Sequence, residues 1–178
     1  MSKLDALGRL FDVGLAWAPV DAQTAQTGKR IFMGGAAGCT ILVIKAAGTA
    51  GDDHSYQLSQ HDAYTSGNTA DLNAISYYHL KQETTLDNDE AWEKFTQTAD
   101  DDLTEAGAAG TSAEQEQIIV IEVDAAQLTD GYAWISLSSG GEGSNAQLST
   151  CVYLLHDLAH QKAPTRLPNL LRPGAADA

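Results

Sequence analysis

Basic residues are scarce in this chain. It has 178 residues, with 10 Lys and Arg against 24 Asp and Glu, so its net charge is −14. Affinity for phosphate needs positive charge, and the composition therefore argues against a nucleic-acid-binding protein and against one that lies on an anionic membrane. Long apolar runs are missing too. The longest stretch lies around residues 41–44, far short of the ~20 residues of a membrane helix.

Cysteine is almost absent, and the two that occur lie in apparent strands. Cys39 and Cys151 are expected to be buried free thiols, although the sequence leaves a bridge between neighbouring strands open. Lys3, Asp5 and Arg9 interrupt the first eleven residues, which argues against a cleaved signal peptide. These features favour synthesis in a reducing cytoplasm.

Catalytic and metal-binding motifs are not recognisable. Glycine-rich residues 28–38 lack the Gly-Lys-Ser/Thr ending of a phosphate loop. The five histidines lack close metal spacing, and no nucleophile-elbow sequence is present. Residues 87–90 and 100–102 are acidic but lack the glycine of an EF-hand loop, so solvated turns are favoured over a cation site. We predict no enzyme, no catalytic residue, no metal and no cofactor.

What the sequence does contain is apolar alternation with a period of two. Seven segments have this period or the residue types of strands: 39–45, 54–60, 75–80, 92–97, 117–123, 132–137 and 150–156. In 117–123 both faces are apolar. One face would carry Ile119, Ile121 and Val123, and the other Ile118, Val120 and Glu122.

Seven or eight short strands with Gly- and Ser-rich turns indicate an all-β fold, either an antiparallel β-sandwich or a jelly-roll-like barrel. Short helical turns are expected, one of them between Asp124 as its cap and Gly131 as its end. Residues 138–145 and 98–117 are predicted as flexible or mobile loops, the second because it has almost nothing to bury.

Three regions follow from this pattern. Residues 1–11 form an N-terminal segment, 12–157 the β-sandwich domain, and 158–178 an extended Pro-rich arm. In the first region, helix-like spacing is found at Leu4, Leu7, Leu10 and Phe11. Residues 50–130 carry two basic and eighteen acidic groups, whereas 158–178 carry three basic and one acidic.

The C-terminal arm has the composition of an adhesive segment. Three of the four prolines lie there, which excludes a helix or a central strand and favours an extended chain with apolar anchors. It would wrap its own domain or reach a neighbouring subunit. The residues predicted to make that contact are Pro164, Arg166, Leu167, Pro168, Leu170, Leu171 and Arg172.

Trp17, Trp92 and Trp134, together with six tyrosines, could build a sugar-stacking platform. Aromatic residues of sandwiches more often belong to the core or an interface. A carbohydrate-binding module is therefore an alternative function.

Four segments carry a resemblance to a known family: the alternating strand at 54–61, residues 92–97, the run 118–128 leading into 132–138, and 151–155 followed by the Lys/Arg/Pro arm. In this order they resemble small virion structural proteins of tailed bacteriophages, which decorate or stabilise the capsid. The resemblance covers residues 12–171 and rests on β-segments and a tail.

The resemblance implies a non-enzymatic decoration or minor capsid protein on the capsid exterior of the virion. Its partners would be the major capsid protein and further copies of itself, with a trimer favoured, and neither nucleic acid nor membrane. An acidic body would repel the packaged genome, and many weak contacts of ~800 Å² or less would add by multivalency. Another tail or neck assembly component is a further alternative.

Overall fold

Alternating apolar residues fold the chain into antiparallel strands. The computed structural model describes residues 5–104, 114–141, 145–161 and 163–166. Within them the strands are β1 (Phe11–Asp21), β2 (Ile31–Phe32), β3 (Ala36–Lys45), β4 (Ser55–His61), β5 (Thr69–Asp71), β6 (Ile75–Glu83), β7 (Glu93–Asp100), β8 (Asp102–Thr104), β9 (Glu116–Asp124), β10 (Trp134–Ser139) and β11 (Leu148–Leu158).

The strands form two sheets that share one core. The six-stranded sheet has the order β1-β11-β3-β9-β6-β7. The five-stranded sheet joins β2-β10-β4-β5, and β8 pairs with β4 beside this path. Each pairing between these strands is antiparallel. The predicted all-β sandwich is confirmed.

The core lies between the inner faces of the two sheets. β3 and β9 contribute Ile41, Val43 and Ile121, all fully buried, and β10 contributes Leu137 from the other sheet. The Leu137 backbone N–H donates a 2.8 Å hydrogen bond to the hydroxyl of Tyr153 in β11. A single cluster of buried residues therefore holds both sheets together.

The predicted corner after β9 is a one-turn 3-10 helix at Ala125–Gln127. The Asp124 carboxylate accepts from the Ala126 backbone N–H at 2.8 Å, and the Gln127 side chain accepts from the Asp124 backbone N–H at 2.8 Å. This capping box satisfies donors that the short helix leaves open. The helix ends at Leu128, so the prediction that Gly131 ends it was wrong; Gly131 lies in the next turn with φ +92°.

The helix-like spacing near the N-terminus was misleading. Leu7 makes an isolated bridge to Phe11, and β1 begins at Phe11. Residues 8–10 form a turn between them. Leu4 lies outside the described residues. β1 was not predicted from the sequence because Gly14 and Pro19 interrupt its alternating pattern. Shifts in its register with β11 between Leu15 and Val20 show that the strand is irregular.

The loop predicted at 98–117 was wrong at both of its ends. Its first residues continue β7 and then form β8, in which Leu103 is buried. Its last two, Glu116 and Gln117, begin β9. Residues 105–113 lie outside the described part of the chain. The loop predicted from residue 138 begins later, because Ser138 and Ser139 belong to β10.

The two cysteines are free thiols buried in adjacent strands, as predicted. Cys151 of β11 pairs in register with Val43 of β3, four residues away from Cys39. Burial raises the pKa of both thiols far above its ordinary value. Thiols of this kind behave as small apolar core residues.

Candidate binding surface

The six-stranded sheet has apolar side chains on both of its faces. One face packs on the core, and we call the opposite one the outer face. Because side chains alternate along a strand, the residues between the buried positions of β1, β3, β9 and β11 point outwards. The apolar members of the outer face are Val13, Leu15, Leu42, Ile44, Ile118, Val120, Val152 and Leu154.

Register brings these side chains together across the sheet. Leu15 lies opposite Val152, which lies opposite Leu42, which in turn lies opposite Val120. The row continues to His79 of β6. Cross-strand neighbours of this kind are in contact distance. The outer face is therefore a continuous apolar surface.

This surface is unusual for an antiparallel sheet. Where such a sheet faces water, polar residues normally occupy the outward positions. Here Val13 is 43% exposed, Leu15 38% and Ile44 40%. Large apolar patches rimmed by polar residues mark interaction sites. The outer face thus has the composition of a surface that another molecule covers.

One end of the outer face is an open groove of about 590 Å³ that we call the acidic groove. The His156 Nδ1 lies 2.8 Å from Asp157, and its Nε2 lies 3.6 Å from Glu122. Glu122 also accepts a 2.9 Å hydrogen bond from the Thr40 hydroxyl. Asp124 is a further carboxylate of the lining. The groove is therefore suited to a cationic side chain.

A glycine shapes the floor of the acidic groove. A Cβ built on Gly38 would lie 2.4 Å from the imidazole of His156, the residue opposite it in register. With glycine at this position the imidazole can lie close against β3 without moving. Asp157, next along, has φ +51°, a left-handed conformation that costs energy in a non-glycine residue.

The opposite end of the outer face is apolar. Pro19, Ile44, Leu86 and Leu148 line a shallow depression of about 280 Å³, and Leu148 is 61% exposed. The outer face thus runs from an acidic end, across an apolar centre, to an apolar end.

The third side of the outer face, at β6 and β7, is cationic and aromatic. Lys81 lies over the ring of Trp92 at 5.2 Å, and Lys94 over the ring of Tyr77 at 4.1 Å. The rings hold the ammonium groups by cation–π attraction. Lys81 and Lys94 are the two basic residues within 50–130. The positive charge of this otherwise acidic region therefore lies on the outer face.

Most of the predicted contact residues of the arm lie outside the described residues. Pro164 and Arg166 belong to a 3-10 turn at Pro164–Arg166, so the prediction of an extended chain was wrong there, since proline is tolerated in a first helical turn. Leu167, Pro168, Leu170, Leu171 and Arg172 lie outside the described residues. The described positions between 159 and 165 are exposed, apart from a backbone hydrogen bond of Ala159 to Gly35.

The three tryptophans do not build a platform. Trp17 is buried, and its indole N–H donates to Ser149 at 3.1 Å. Trp134 is buried against Phe32 and Tyr64. Trp92 alone is strongly exposed.

A Ser–His pair occurs in the five-stranded sheet, and it was not visible in the sequence. The Ser136 hydroxyl lies 2.8 Å from His61 Nε2, while Nδ1 lies 2.9 Å from the Thr69 hydroxyl. Both Ser136 and His61 are buried, and the ring's second nitrogen faces the Thr69 hydroxyl rather than a carboxylate. Burial and the charge of Arg30 lower the pKa of His61 to about 4. A buried imidazole of this pKa is a weak base, so the pair ties strands together.

The acidic run at 87–90 lies on the surface, whereas the solvated turn predicted at 100–102 was wrong, because these residues end β7 and begin β8 and Asp101 is buried. Oxygens of Glu83, Asp89 and Glu90 lie within 4.8 Å of one another, and this is the group suited to a cation that the described residues contain. Glu90 is engaged instead with the Asp87 backbone N–H. In the second run, Asp101 accepts a 3.0 Å hydrogen bond from Gln57.

No family model matches the chain, no curated protein matches its sequence, and no solved structure matches it. Within the described residues, no helix is long and apolar enough to span a membrane. The outer face is therefore interpreted from its own geometry. Sequence reasoning missed it as a site, although the apolar pair Ile118 and Val120 opposite the core-facing isoleucines of β9 was its signal.

Proposed function

We propose that this chain is a non-enzymatic virion structural protein that binds and stabilises the capsid shell of a tailed bacteriophage. The observation that supports this function best is the outer face. A sheet face with this many apolar side chains is stable in water only at a cost, and an assembly that covers it recovers that free energy.

The charge of the molecule supports an exterior position on a shell. Outside the outer face the body is strongly acidic, and such a surface is repelled by packaged nucleic acid. Repeated on many copies, even a modest contact gives firm attachment, because later contacts form at high effective concentration.

Catalysis has little support among the described residues. The imidazole of His61 has a serine partner, but both are buried. His156 is accessible, but its two ring nitrogens face Asp157 and Glu122 rather than a hydroxyl or thiol nucleophile. These arrangements hold strands and shape a surface.

Shell binding tests the proposal. Shells of the source phage prepared without this protein are incubated with the wild-type chain and with a Val152→Lys variant, and bound protein is measured after sedimentation. We expect saturable binding of wild-type protein and at least tenfold weaker binding of the variant, because the lysine places a charge in the apolar centre. Thr65→Lys, in an exposed turn before β5, adds the same charge elsewhere and should bind normally. Wild-type protein that does not sediment with shells would refute the proposal.

Copy number separates this role from its phage alternatives. Hundreds of copies per virion indicate the shell, whereas six or twelve would indicate the neck or tail. The carbohydrate-binding alternative is less supported, since two of the three tryptophans are buried.

A further inference from the structure

The outer face needs an occupant, and this chain contains a segment with matching chemistry. We propose that the outer face of one copy binds residues 166–172 of a second copy. This inference goes beyond the proposed function: on the shell, the outer face of one copy would be covered by the arm of a neighbouring copy, so that contacts between copies strengthen attachment, and these contacts are testable without a shell.

The first argument is the apolar match. Residues 166–172 read Arg-Leu-Pro-Asn-Leu-Leu-Arg. Leu167, Leu170 and Leu171 are the apolar side chains of a Pro-stiffened segment, which loses less conformational entropy on binding than a flexible one. The centre of the outer face, at Val152 and Leu42, offers an apolar surface of the kind that such anchors cover.

The second argument is charge. An arginine stands at each end of the segment, and the acidic groove contains Glu122, Asp124 and Asp157. Guanidinium groups pair with carboxylates through two parallel hydrogen bonds. The segment is thus basic where the outer face is acidic and apolar where the outer face is apolar.

The third argument is spacing. Along β11, His156 in the acidic groove is four residues from Val152 at the apolar centre. In an extended chain Leu170 likewise follows Arg166 by four residues, a distance of about 13 Å in both cases. An arginine in the acidic groove therefore places a leucine over the apolar centre.

The described start of the arm favours a second copy over the chain's own body. Ala159 donates a backbone hydrogen bond to Gly35, and beyond it the described residues up to Thr165 are exposed, so their side chains are not buried on the sandwich. A segment that leaves its own body is positioned to reach a neighbour. The outer face spans six strands at ~4.8 Å spacing, a width suited to an interface of standard size.

Peptide binding tests the match directly. A fluorescent peptide of residues 160–174 is titrated with a chain that ends at Arg166, and binding is followed by anisotropy. We expect saturable binding that weakens at least tenfold with Val152→Lys and is unchanged with Thr65→Lys. Ile44→Lys, at an exposed position of the same face, serves if Val152→Lys unfolds. Absence of binding to the well-folded truncated chain would refute the inference.

A charge exchange tests the acidic groove. Glu122→Lys in the truncated chain should weaken binding of the natural peptide about tenfold. A peptide carrying Arg166→Glu and Arg172→Glu should bind this variant better than it binds the unchanged chain. Equal weakening of both peptides would contradict the arginine–groove contact.

Mixing two defective proteins tests whether the arm binds the outer face of a second copy or the outer face of its own chain. Full-length Val152→Lys keeps the arm, and the chain ending at Arg166 keeps the outer face; each should be monomeric by light scattering. Their mixture should form a complex of both, and wild-type protein should self-associate. If the mixture and the wild-type protein stay monomeric while the peptide binds, the arm covers its own body and the inference is overturned. Failure here leaves shell binding to be judged by its own experiment.

Discussion

His61 illustrates how single side chains set the stability of this molecule. Its ring is buried between β4, β5 and β10 and is hydrogen-bonded to Ser136 and Thr69. Burial, followed by the positive charge of Arg30, lowers the pKa of His61 to about 4 from an ordinary value of 6.5. The imidazole is therefore neutral in the folded protein near neutral pH, whereas in the unfolded chain it takes up a proton below about pH 6.5.

A pH dependence with a defined sign follows. The folded-state pKa is lowered, so His61 stabilises fully above about pH 6.5, and this contribution is lost as the pH falls towards 4. From about pH 7 to about pH 5 the full linkage would be roughly 2 kcal/mol, and we expect about half of it because relaxation of the surroundings and water penetration lower the cost of a buried charge.

Urea unfolding of wild type and His61→Gln at both pH values measures this loss. The variant should lose about 1 kcal/mol less between them. His79→Gln on the outer face should behave like wild type. Equal losses in all three proteins would show that His61 is not responsible.

At the scale of elements, alternation predicted the long central strands well. β3, β4, β9 and β11 have alternating or continuous apolar residues, and pairing with neighbours on both sides fixed their register. The strands that were missed are irregular or very short. β2, β5 and β8 have two or three residues each, too few for a period to show. β2 and β8 form by pairing with β10 and β4, which lie far away in the sequence, and local sequence does not encode such pairing.

β8 is the clearest of these cases, and it supplies the second prediction. Leu103 is the only large apolar residue in an acidic stretch, yet it is 1% exposed and lies opposite Tyr56 of β4. Leu103→Ala removes a fully buried side chain from the core and leaves a cavity. We expect a loss of about 3 kcal/mol in unfolding free energy.

Chemical denaturation of Leu103→Ala measures this loss. The same change at exposed Leu148 should cost less than about 0.5 kcal/mol. A loss at Leu103 as small as that at Leu148 would mean that β8 contributes little to the core.

At the scale of the whole molecule, the sequence showed how apolar and charged residues are distributed along the chain. It did not show which of them the fold brings together. The run at 118–121 showed that both faces of β9 are apolar. It could not show that β1, β3 and β11 would present their own apolar faces beside it, because the strand order joins segments over a hundred residues apart. The acidic groove likewise combines Glu122 with His156 only through the sheet.

The net charge of −14 makes the folded state sensitive to salt. His156 lies beside two carboxylates, those of Asp157 and Glu122, and salt would weaken these attractions. The excess of 24 acidic over 10 basic residues makes repulsion between carboxylates the larger effect. The pKa of Asp102 is raised by burial and then by Asp101, Asp100 and Asp71.

Screening should therefore stabilise the protein. Raising NaCl from about 0.1 M to about 1 M shortens the Debye length from about 10 Å to about 3 Å, and we expect about 1 kcal/mol of additional unfolding free energy. Thermal and urea unfolding at both concentrations measure this gain.

A double variant, Asp71→Asn with Asp102→Asn, should be more stable than wild type at low salt. Its stability should rise less than that of wild type when salt is added, because part of the repulsion is already removed. A wild-type stability that falls with salt would mean that attractive ion pairs, rather than like-charge repulsion, dominate the electrostatics of this fold.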